Sequence, residues 1–271
     1  MKKHQKTIIA LVGNPNTGKS TLFNKITGEH SAVGNLAGVT VEACSAPGIS
    51  SGSENWELID LPGIYNLHAQ TDDGRVTENA LINPGGKWKP DVVWLIADKA
   101  TLQGQLFLAL QIRELEIPCI LLLNRMNYEP ADPQLCEILE HGLGIHVREI
   151  QALKDDPGDW VKMLSPLLDQ PTACCVLRKV PKSIEESLKI LNAKMPYGTL
   201  GYLCHLARMN HAPTWLTQEE NLAWKQARNQ SPNSPSGLQL EEAGQRMAIV
   251  RDLLSQAGKP VKEREIKQRD A

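Results

Sequence analysis

GNPNTGKS occupies residues 13–20 of this 271-residue chain, directly after the apolar run 7–12 and directly before the helix-like run 21–26. The stretch satisfies the pattern GxxxxGK[ST], in which glycines let successive backbone N–H groups turn inward towards bound phosphates. The N-terminus of the following helix adds positive potential at the same place. We therefore predict an α/β fold in which this loop wraps around the phosphates of a nucleotide. The predicted contacts are Gly13, Asn14, Asn16, Thr17, Gly18, Lys19, Ser20 and Thr21.

A second motif, DLPG, runs from Asp60 to Gly63 at the end of a strand-like apolar run. In P-loop switches the aspartate holds Mg²⁺ through water and the glycine N–H contacts the γ-phosphate. Lys19 then reaches the outer phosphates, and the Ser20 hydroxyl ligates the ion. Thr40, between the two motifs, is predicted to be a further Mg²⁺ ligand in the triphosphate state. On its own it would be an ordinary threonine at the start of a strand, and the order of the motifs favours the ligand.

The base-recognition residues depart from the usual pattern of Asn-x-x-Asp after a buried strand. Asn124 is present, but Asn127 stands where aspartate is expected. An aspartate accepts hydrogen bonds from both guanine N1–H and the 2-amino group, whereas an amide has one acceptor oxygen and presents an NH₂ donor. Losing such a bond costs about 1–3 kcal/mol. We predict base contacts from Asn124, Asn127 and the Ala152 N–H, with weakened preference for guanine and better tolerance of xanthine.

The alternation of apolar runs with amphipathic stretches up to about residue 168 is typical of a mostly parallel sheet covered by helices on both faces. We predict strands at 7–12, 56–61, 91–97, 117–123 and 147–151 within a six-stranded sheet, a hairpin at 50–53, and helices at 102–115 and 133–141, the second closed by Gly142. Beyond residue 181 only helical patterns follow, near 198–209, 217–229 and 238–256, with a loop at 231–237. The predicted domains are a P-loop GTPase domain at 1–170, a small helical domain at 171–260 and a charged flexible tail at 261–271.

Composition excludes several classes of function. A net charge of −2 argues against nucleic acid as the main partner. The six cysteines form no CxxC pair, which favours reduced thiols in a cytosolic protein. No apolar run approaches the roughly 20 residues that span a bilayer, and no signal peptide is expected.

His141 and His146 are interpreted as structural. The glutamate pairs at 185–186 and 241–242 are interpreted as solvated helix faces, with iron sensing as the alternative for these glutamates.

With these residues in view, the chain resembles the cytosolic N-terminal region of the FeoB family of prokaryotic ferrous iron transporters. The resemblance is carried by GNPNTGKSTLFNKITG, VGNLAGVTVE, LIDLPGIYNL and TLQGQLFLALQIRELEIPCILLLN, and it covers roughly residues 7–127. It implies a Ras-like GTPase domain followed by a helical domain. It also implies a polytopic iron-permeation domain that this chain lacks, and hence a place at the cytoplasmic face of the inner membrane.

The resemblance also implies a catalytic device. Asn16 matches a P-loop asparagine that helps to hold K⁺, which would replace an arginine finger by neutralising charge in the transition state. Ile64 stands where Ras-like enzymes place a glutamine that orients water, so slow hydrolysis is expected. The predicted catalytic set is therefore Asn16, Lys19, Thr40 and Gly63, with GTP or GDP, Mg²⁺ and K⁺ as the bound groups.

Three functions are compatible with the sequence. The first is a slow, K⁺-assisted GTPase switch that regulates ferrous iron uptake by an attached membrane transport domain. The second is a regulatory nucleotide-binding module with weakened guanine specificity or little turnover. The third is a stand-alone GTPase of the ribosome-assembly or tRNA-modification type, whose usual basic appendage is missing here. A homo-oligomer is possible in each case.

Overall fold

A single sheet with a parallel centre organises the N-terminal part of the chain. The computed structural model describes residues 7–28, 32–35, 42–47, 56–68, 70–126, 130–156, 158–160 and 180–258. In this part the sheet has seven strands in the order β2-β3-β4-β1-β5-β6-β7. Their bounds are β1 Thr7–Gly13, β2 Ala32–Asn35, β3 Glu42–Pro47, β4 Trp56–Asp60, β5 Val92–Asp98, β6 Cys119–Asn124 and β7 His146–Ile150.

The predicted α/β class with a mostly parallel sheet is confirmed, but the predicted count of six strands is wrong. Strands β4, β1, β5, β6 and β7 are mutually parallel. Strands β2 and β3 add an antiparallel extension, with Cys44 of β3 opposite Asp60 of β4. These two short strands carry no continuous apolar run, so hydrophobic patterning did not mark them. The predicted hairpin at 50–53 lies outside the described residues.

In the described N-terminal part the sheet is flanked by α1 Lys19–Thr27, α2 Asp72–Ile82, α3 Leu102–Glu114 and α4 Pro133–Leu143. Helix α2 was not predicted, although the Thr71 side chain caps it by accepting the Gly74 N–H. Helix α4 ends at Gly144 rather than at the predicted Gly142. Gly144 has φ 63°, and its N–H donates to the Glu140 carbonyl, which closes the helix in the left-handed conformation that glycine permits.

The C-terminal part is helical, as predicted, with α5 Glu185–Lys194, α6 Leu200–Arg208, α7 Gln218–Gln230 and α8 Pro235–Gln256. The predicted loop at 231–237 is wrong in its second half, because Pro235 occupies the first turn of α8. Ser234 is the N-cap and accepts the Gly237 N–H. Proline is well tolerated at this position because the first N–H groups of a helix have no partner within it. Residues 161–179 and the predicted tail lie outside the described residues.

The apolar core is divided by the sheet, and one half continues into the helical part. Alternate residues of β1 face opposite sides: Ala10 and Val12 join one cluster, while Ile9 and Leu11 join the other with residues of α1. The first cluster extends through α3 to buried residues of α6 and α8. The assignment of two domains stays a prediction, but their apolar cores are continuous. Among the described residues, no helix is both long enough and apolar enough to cross a membrane.

Candidate nucleotide-binding site

The loop between β1 and α1 is shaped by two glycines with no space for a side chain. A Cβ on Gly13 would lie 2.3 Å from the carbonyl oxygen of Ile96 on the neighbouring strand. Gly18 has φ +95°, and a Cβ there would lie 2.4 Å from Asn124 Nδ2. Both positions therefore require glycine, because a Cβ would collide with a neighbouring atom. Gly18 is also required because of its left-handed backbone conformation. The curled backbone that the motif predicts is present.

Inside the loop, one residue stabilises the turn through its side chain, and another has an unusual backbone conformation. The Thr17 hydroxyl donates to the Asn14 carbonyl at 2.9 Å and is buried. Asn16 is exposed and has φ 64°, the left-handed region that asparagine tolerates better than most residues. This is a structural reason for an asparagine here that is separate from its predicted role at K⁺.

Three predicted phosphate and Mg²⁺ residues converge at the start of α1. The Ser20 hydroxyl donates to Asp60 Oδ2 at 2.9 Å, and Lys19 Nζ lies 3.6 Å from Asp60 Oδ1. Asp60 Oδ1 is buried and accepts no hydrogen bond from the described part of the chain. Motifs 40 residues apart in sequence thus form one polar cluster, because the parallel strands β1 and β4 end side by side.

The segment after Asp60 packs against the phosphate loop. A Cβ on Gly63 would approach the Pro15 nitrogen to 2.9 Å, and the Ile64 N–H donates to the Gly13 carbonyl at 3.0 Å. The Ile64 side chain is buried in the core, so this position contributes packing and no group that could orient water. The Thr77 hydroxyl of α2 donates to the Pro62 carbonyl at 2.8 Å, which ties the helix to the segment.

On the predicted base side, Asn124 joins two loops. Its Nδ2 donates to the Thr17 carbonyl at 2.9 Å, and its Oδ1 accepts the Ala152 N–H at 3.1 Å. Asn124 and Ala152 are both buried. The Ala152 N–H that was predicted to reach the base is therefore engaged by Asn124 in this structure. Asn127, like Thr40, lies outside the described residues, so the predictions for both stay predictions.

Sequence reasoning missed two residues that shape the loop after β7. Lys25 of α1 donates from Nζ to the Leu153 carbonyl at 2.5 Å. Asp155 accepts the Gln151 N–H at 2.6 Å and the Trp160 indole N–H at 3.3 Å through Oδ2. The aspartate alone could have been suspected, since its side chain binds the backbone four residues earlier. Nothing in the sequence connects Lys25 to a segment more than 120 residues away.

The remaining predictions have mixed outcomes. His146 Nδ1 lies 2.9 Å from Glu140 Oε1 at the junction of α4 and β7, which agrees with a structural role. Among the described residues, Cys119, Cys136 and Cys204 are outside any disulfide. The glutamates at 185 and 186 are exposed, as predicted. The prediction of a solvated Glu242 is wrong: this side chain is 2% exposed and is bound by Arg246 and His68. A helix-face pattern did not show this, because the side of α8 that carries Glu242 is covered by other elements.

A parallel sheet with a phosphate loop between β1 and α1, and a DxxG segment at the end of the adjacent strand, defines a P-loop domain of the GTPase type. Comparison with known proteins gives the family. The family model described as ferrous iron transport protein B matches residues 7–162. The chain therefore belongs to this family, which confirms the predicted resemblance.

Curated relatives agree over less than half of the chain. The Fe(2+) transporter FeoB of Methanocaldococcus jannaschii is 44% identical over 107 residues, which are 40% of this chain and 15% of that protein. The Fe(2+) transporter FeoB of Escherichia coli K12 is 39% identical over 123 residues, which are 45% of this chain and 16% of that protein. The chain thus matches about one sixth of the length of these relatives.

Solved structures agree over almost the whole chain. The cytosolic domain of L. pneumophila FeoB is 25% identical with a TM-score of 0.72, and the match covers 92% of this chain and 98% of that one. A GDP-bound mutant of the S. thermophilus FeoB G-domain is also 25% identical, with a TM-score of 0.69 and coverage of 92% and 98%. The similarity includes the helical part.

Proposed function

We propose that this chain is the nucleotide-dependent switch of a ferrous iron transporter. In this proposal it binds GTP with Mg²⁺, hydrolyses it slowly, and regulates Fe²⁺ uptake by an attached membrane transport domain at the cytoplasmic face of the membrane. The names of its relatives, Fe(2+) transporters, and the GDP bound to the S. thermophilus G-domain support the proposed cargo and nucleotide.

The observation that carries the proposal is the convergence of Lys19, Ser20 and Asp60 at the N-terminus of α1. A helix N-terminus with inward N–H groups and an ammonium favours a polyphosphate. The buried Asp60 Oδ1 has no hydrogen-bond partner among the described residues, and with the Ser20 hydroxyl it offers the hard oxygen donors that Mg²⁺ prefers. The residues therefore fit Mg²⁺, which when bound would neutralise charge on the phosphate oxygens.

The chain's own residues then have the following roles. Lys19 and the loop N–H groups are proposed to hold the phosphates, and the Gly63 N–H to contact the γ-phosphate. Thr40 is proposed as the further Mg²⁺ ligand. The remaining loop positions in the proposed contact set are Gly13, Asn14, Thr17, Gly18 and Thr21. Because Ile64 is buried and apolar, the chain has no glutamine there to orient water, and this supports slow turnover.

Asn16 is proposed to hold K⁺ beside the phosphates, where the cation would stabilise the charge that develops during hydrolysis. Its exposure at the turn of the phosphate loop is compatible with this role. Stimulation by K⁺ but not by Na⁺ at equal ionic strength is the expected result, and equal rates in the two salts would contradict it.

The decisive experiment replaces Lys19 with alanine and measures GDP affinity by titration with a fluorescent analogue. We expect binding to be lost, because no other side chain of the described loop supplies a positive charge. Lys189→Ala is the matched control, since Lys189 lies on the exposed face of α5 and pairs only with Glu186 among the described residues. Unchanged affinity in Lys19→Ala would show that the phosphates bind elsewhere. No phosphate release from GTP, ATP or XTP with Mg²⁺ and K⁺ would contradict the enzymatic part.

A second function is favoured by one specific feature, the asparagine at position 127. In this alternative the chain is a regulatory module that binds nucleotides with weakened guanine preference and little turnover. Asn127→Asp should raise the affinity for GDP relative to XDP by about ten- to a hundredfold, which corresponds to about 1–3 kcal/mol for a charge-assisted bond. An unchanged ratio would show that position 127 does not read the base, and Asn24→Asp on the exposed face of α1 is the control.

A further inference from the structure

A second polar cluster lies away from the phosphate loop, where the segment after DxxG meets the helical part. It consists of His68, Glu78 of α2 and His205 of α6. One potential ligand atom of each residue lies within 4.8 Å of the others. Nothing in the proposed nucleotide chemistry uses these three side chains.

The cluster is buried and ordered by short contacts. His205 Nε2 lies 2.8 Å from Glu78 Oε1, and His68 Nε2 lies 2.5 Å from Glu242 Oε2. The two imidazoles are stacked, with centroids 4.9 Å apart and planes within 3°. His205 is 5% exposed and Glu78 7%. Burying two histidines and a carboxylate side by side is costly unless their polar atoms are hydrogen-bonded, paired or bound to a metal.

His68 has the arrangement of a metal-binding imidazole. Its Nε2 is held by the Glu242 carboxylate, while its Nδ1 is buried and makes no hydrogen bond within the described residues. Histidines that ligate metals commonly donate one ring N–H to a carboxylate in this way. The lone pair of the other ring nitrogen is then available to the ion. Burial, followed by the nearby His205, lowers the pKa of His68 well below its ordinary value.

The charged groups around the cluster favour the binding of a cation. Glu78, Glu114 and Glu242 face two guanidiniums, those of Arg208 and Arg246. Both arginines pair with Glu242, and Arg246 also pairs with Glu114. Carboxylates thus outnumber guanidiniums by one in this group, and the carboxylate that no arginine contacts within 4.0 Å among the described residues is Glu78.

We propose that His68, Glu78 and His205 bind one first-row divalent transition-metal ion of the Fe²⁺, Co²⁺ or Zn²⁺ class. Two imidazole nitrogens and one carboxylate oxygen form a donor set for such ions, whereas Mg²⁺ and Ca²⁺ prefer oxygen ligands alone. An open pocket of about 720 Å³ is lined by His68 and Glu78 together with the 209–215 segment. This pocket would give an ion access to His68 and Glu78 and would leave space for water beside them.

The site also connects two parts of the molecule. His68 follows the DxxG segment, and Glu78 adjoins Thr77, whose hydroxyl holds the Pro62 carbonyl of that segment. His205 belongs to the helical part, so a bound ion would cross-link α6 to the segment that is proposed to respond to the γ-phosphate. This coupling rests on the proposed function, whereas binding of the metal does not.

The test is an anaerobic titration of the whole nucleotide-free chain with Co²⁺ in the presence of excess Mg²⁺, followed by visible absorption. We expect one Co²⁺ per chain, with d–d bands and no thiolate charge-transfer band, and loss of the bands when Fe²⁺ or Zn²⁺ competes. His205→Gln and Glu78→Gln should each weaken Co²⁺ binding at least tenfold. Glu78→Gln keeps the size of the side chain and an oxygen for His205, so it reports on the site even if His205→Gln fails to fold.

His146→Gln is the control, because His146 forms a comparable pair with Glu140 at the junction of α4 and β7. It should leave Co²⁺ binding unchanged. Absence of stoichiometric binding, equal affinity in wild type and both site variants, or a thiolate band would overturn the proposal. The coupling is tested by comparing Co²⁺ affinity with GDP and with a non-hydrolysable GTP analogue: a difference supports it and equal affinities refute it. A chain that binds Co²⁺ but no nucleotide would refute the proposed function alone.

Discussion

Replacing Asn124 with alanine should destabilise the protein far more than its size implies, because its amide joins two loops. The substitution removes two hydrogen bonds, from Nδ2 to the Thr17 carbonyl and from the Ala152 N–H to Oδ1. Each is worth about 1 kcal/mol net, and each buried group left without a partner costs about 1–3 kcal/mol. Allowing for water that enters the cavity, we expect the free energy of unfolding to fall by about 2–4 kcal/mol.

The measurement is urea unfolding of the nucleotide-free chain, followed by titration with GDP. Asn24→Ala, on the exposed face of α1, should change the free energy of unfolding by less than about 0.5 kcal/mol. Asn124→Ala should also weaken GDP binding by about tenfold or more, because the phosphate loop loses its hydrogen-bonded connection to the loop after β7. A tenfold loss of affinity corresponds to about 1.4 kcal/mol. The reasoning is refuted if Asn124→Ala is no more destabilising than Asn24→Ala.

Asn124→Asp separates the two bonds. The aspartate keeps an acceptor for the Ala152 N–H but places a second acceptor against the Thr17 carbonyl, where the amide was a donor. We expect it to be at least as destabilising as alanine at neutral pH. Recovery of wild-type stability in this variant would show that the bond to Thr17 contributes little.

Four further predictions concern other parts of the chain. Gly201→Ala should lower the free energy of unfolding by more than about 1 kcal/mol, since its Cβ would lie 1.5 Å from the Glu114 carbonyl oxygen. Gly244→Ala, in open space on α8, should raise it by up to about 1 kcal/mol. Asn16→Gly should keep the loop conformation and nucleotide affinity but abolish stimulation by K⁺, because glycine accepts positive φ without supplying an amide. Cys136 should resist alkylation at pH 8, because burial, followed by nearby carboxylates, raises its pKa to about 11 and the thiolate is favoured only above that pH.

A specific result would contradict each of these predictions. Equal melting temperatures of the two glycine variants would show that α6 moves away from α3 without cost. K⁺ stimulation that survives in Asn16→Gly would restrict Asn16 to its backbone role. For Cys136, peptide mass spectrometry across pH is the measurement, and a rate that already reaches its plateau near pH 9 would contradict the raised pKa.

The sequence by itself determined the P-loop, the DxxG segment and the parallel strands that carry them. These features are local: the glycines of 13–20 impose their own turn, and the apolar runs of β5 and β6 require burial on both faces. Even the resemblance to the family was visible in the order of these motifs. The short strands β2 and β3 and helix α2 escaped because they have no strong apolar period, and the bounds of α4 and α8 depended on caps at Gly144 and Ser234.

Tertiary structure decided which distant side chains meet. Asn124 was identified as a base-site residue, but its bonds to Thr17 and Ala152 follow from the way β1, β6 and β7 end at one edge of the sheet. The cluster at His68 was invisible, because Glu78 and His205 are 127 residues apart and no periodic pattern links them. Local patterns record how each segment satisfies its own backbone and buries its apolar face. Which polar groups share an interior is fixed only when those segments pack.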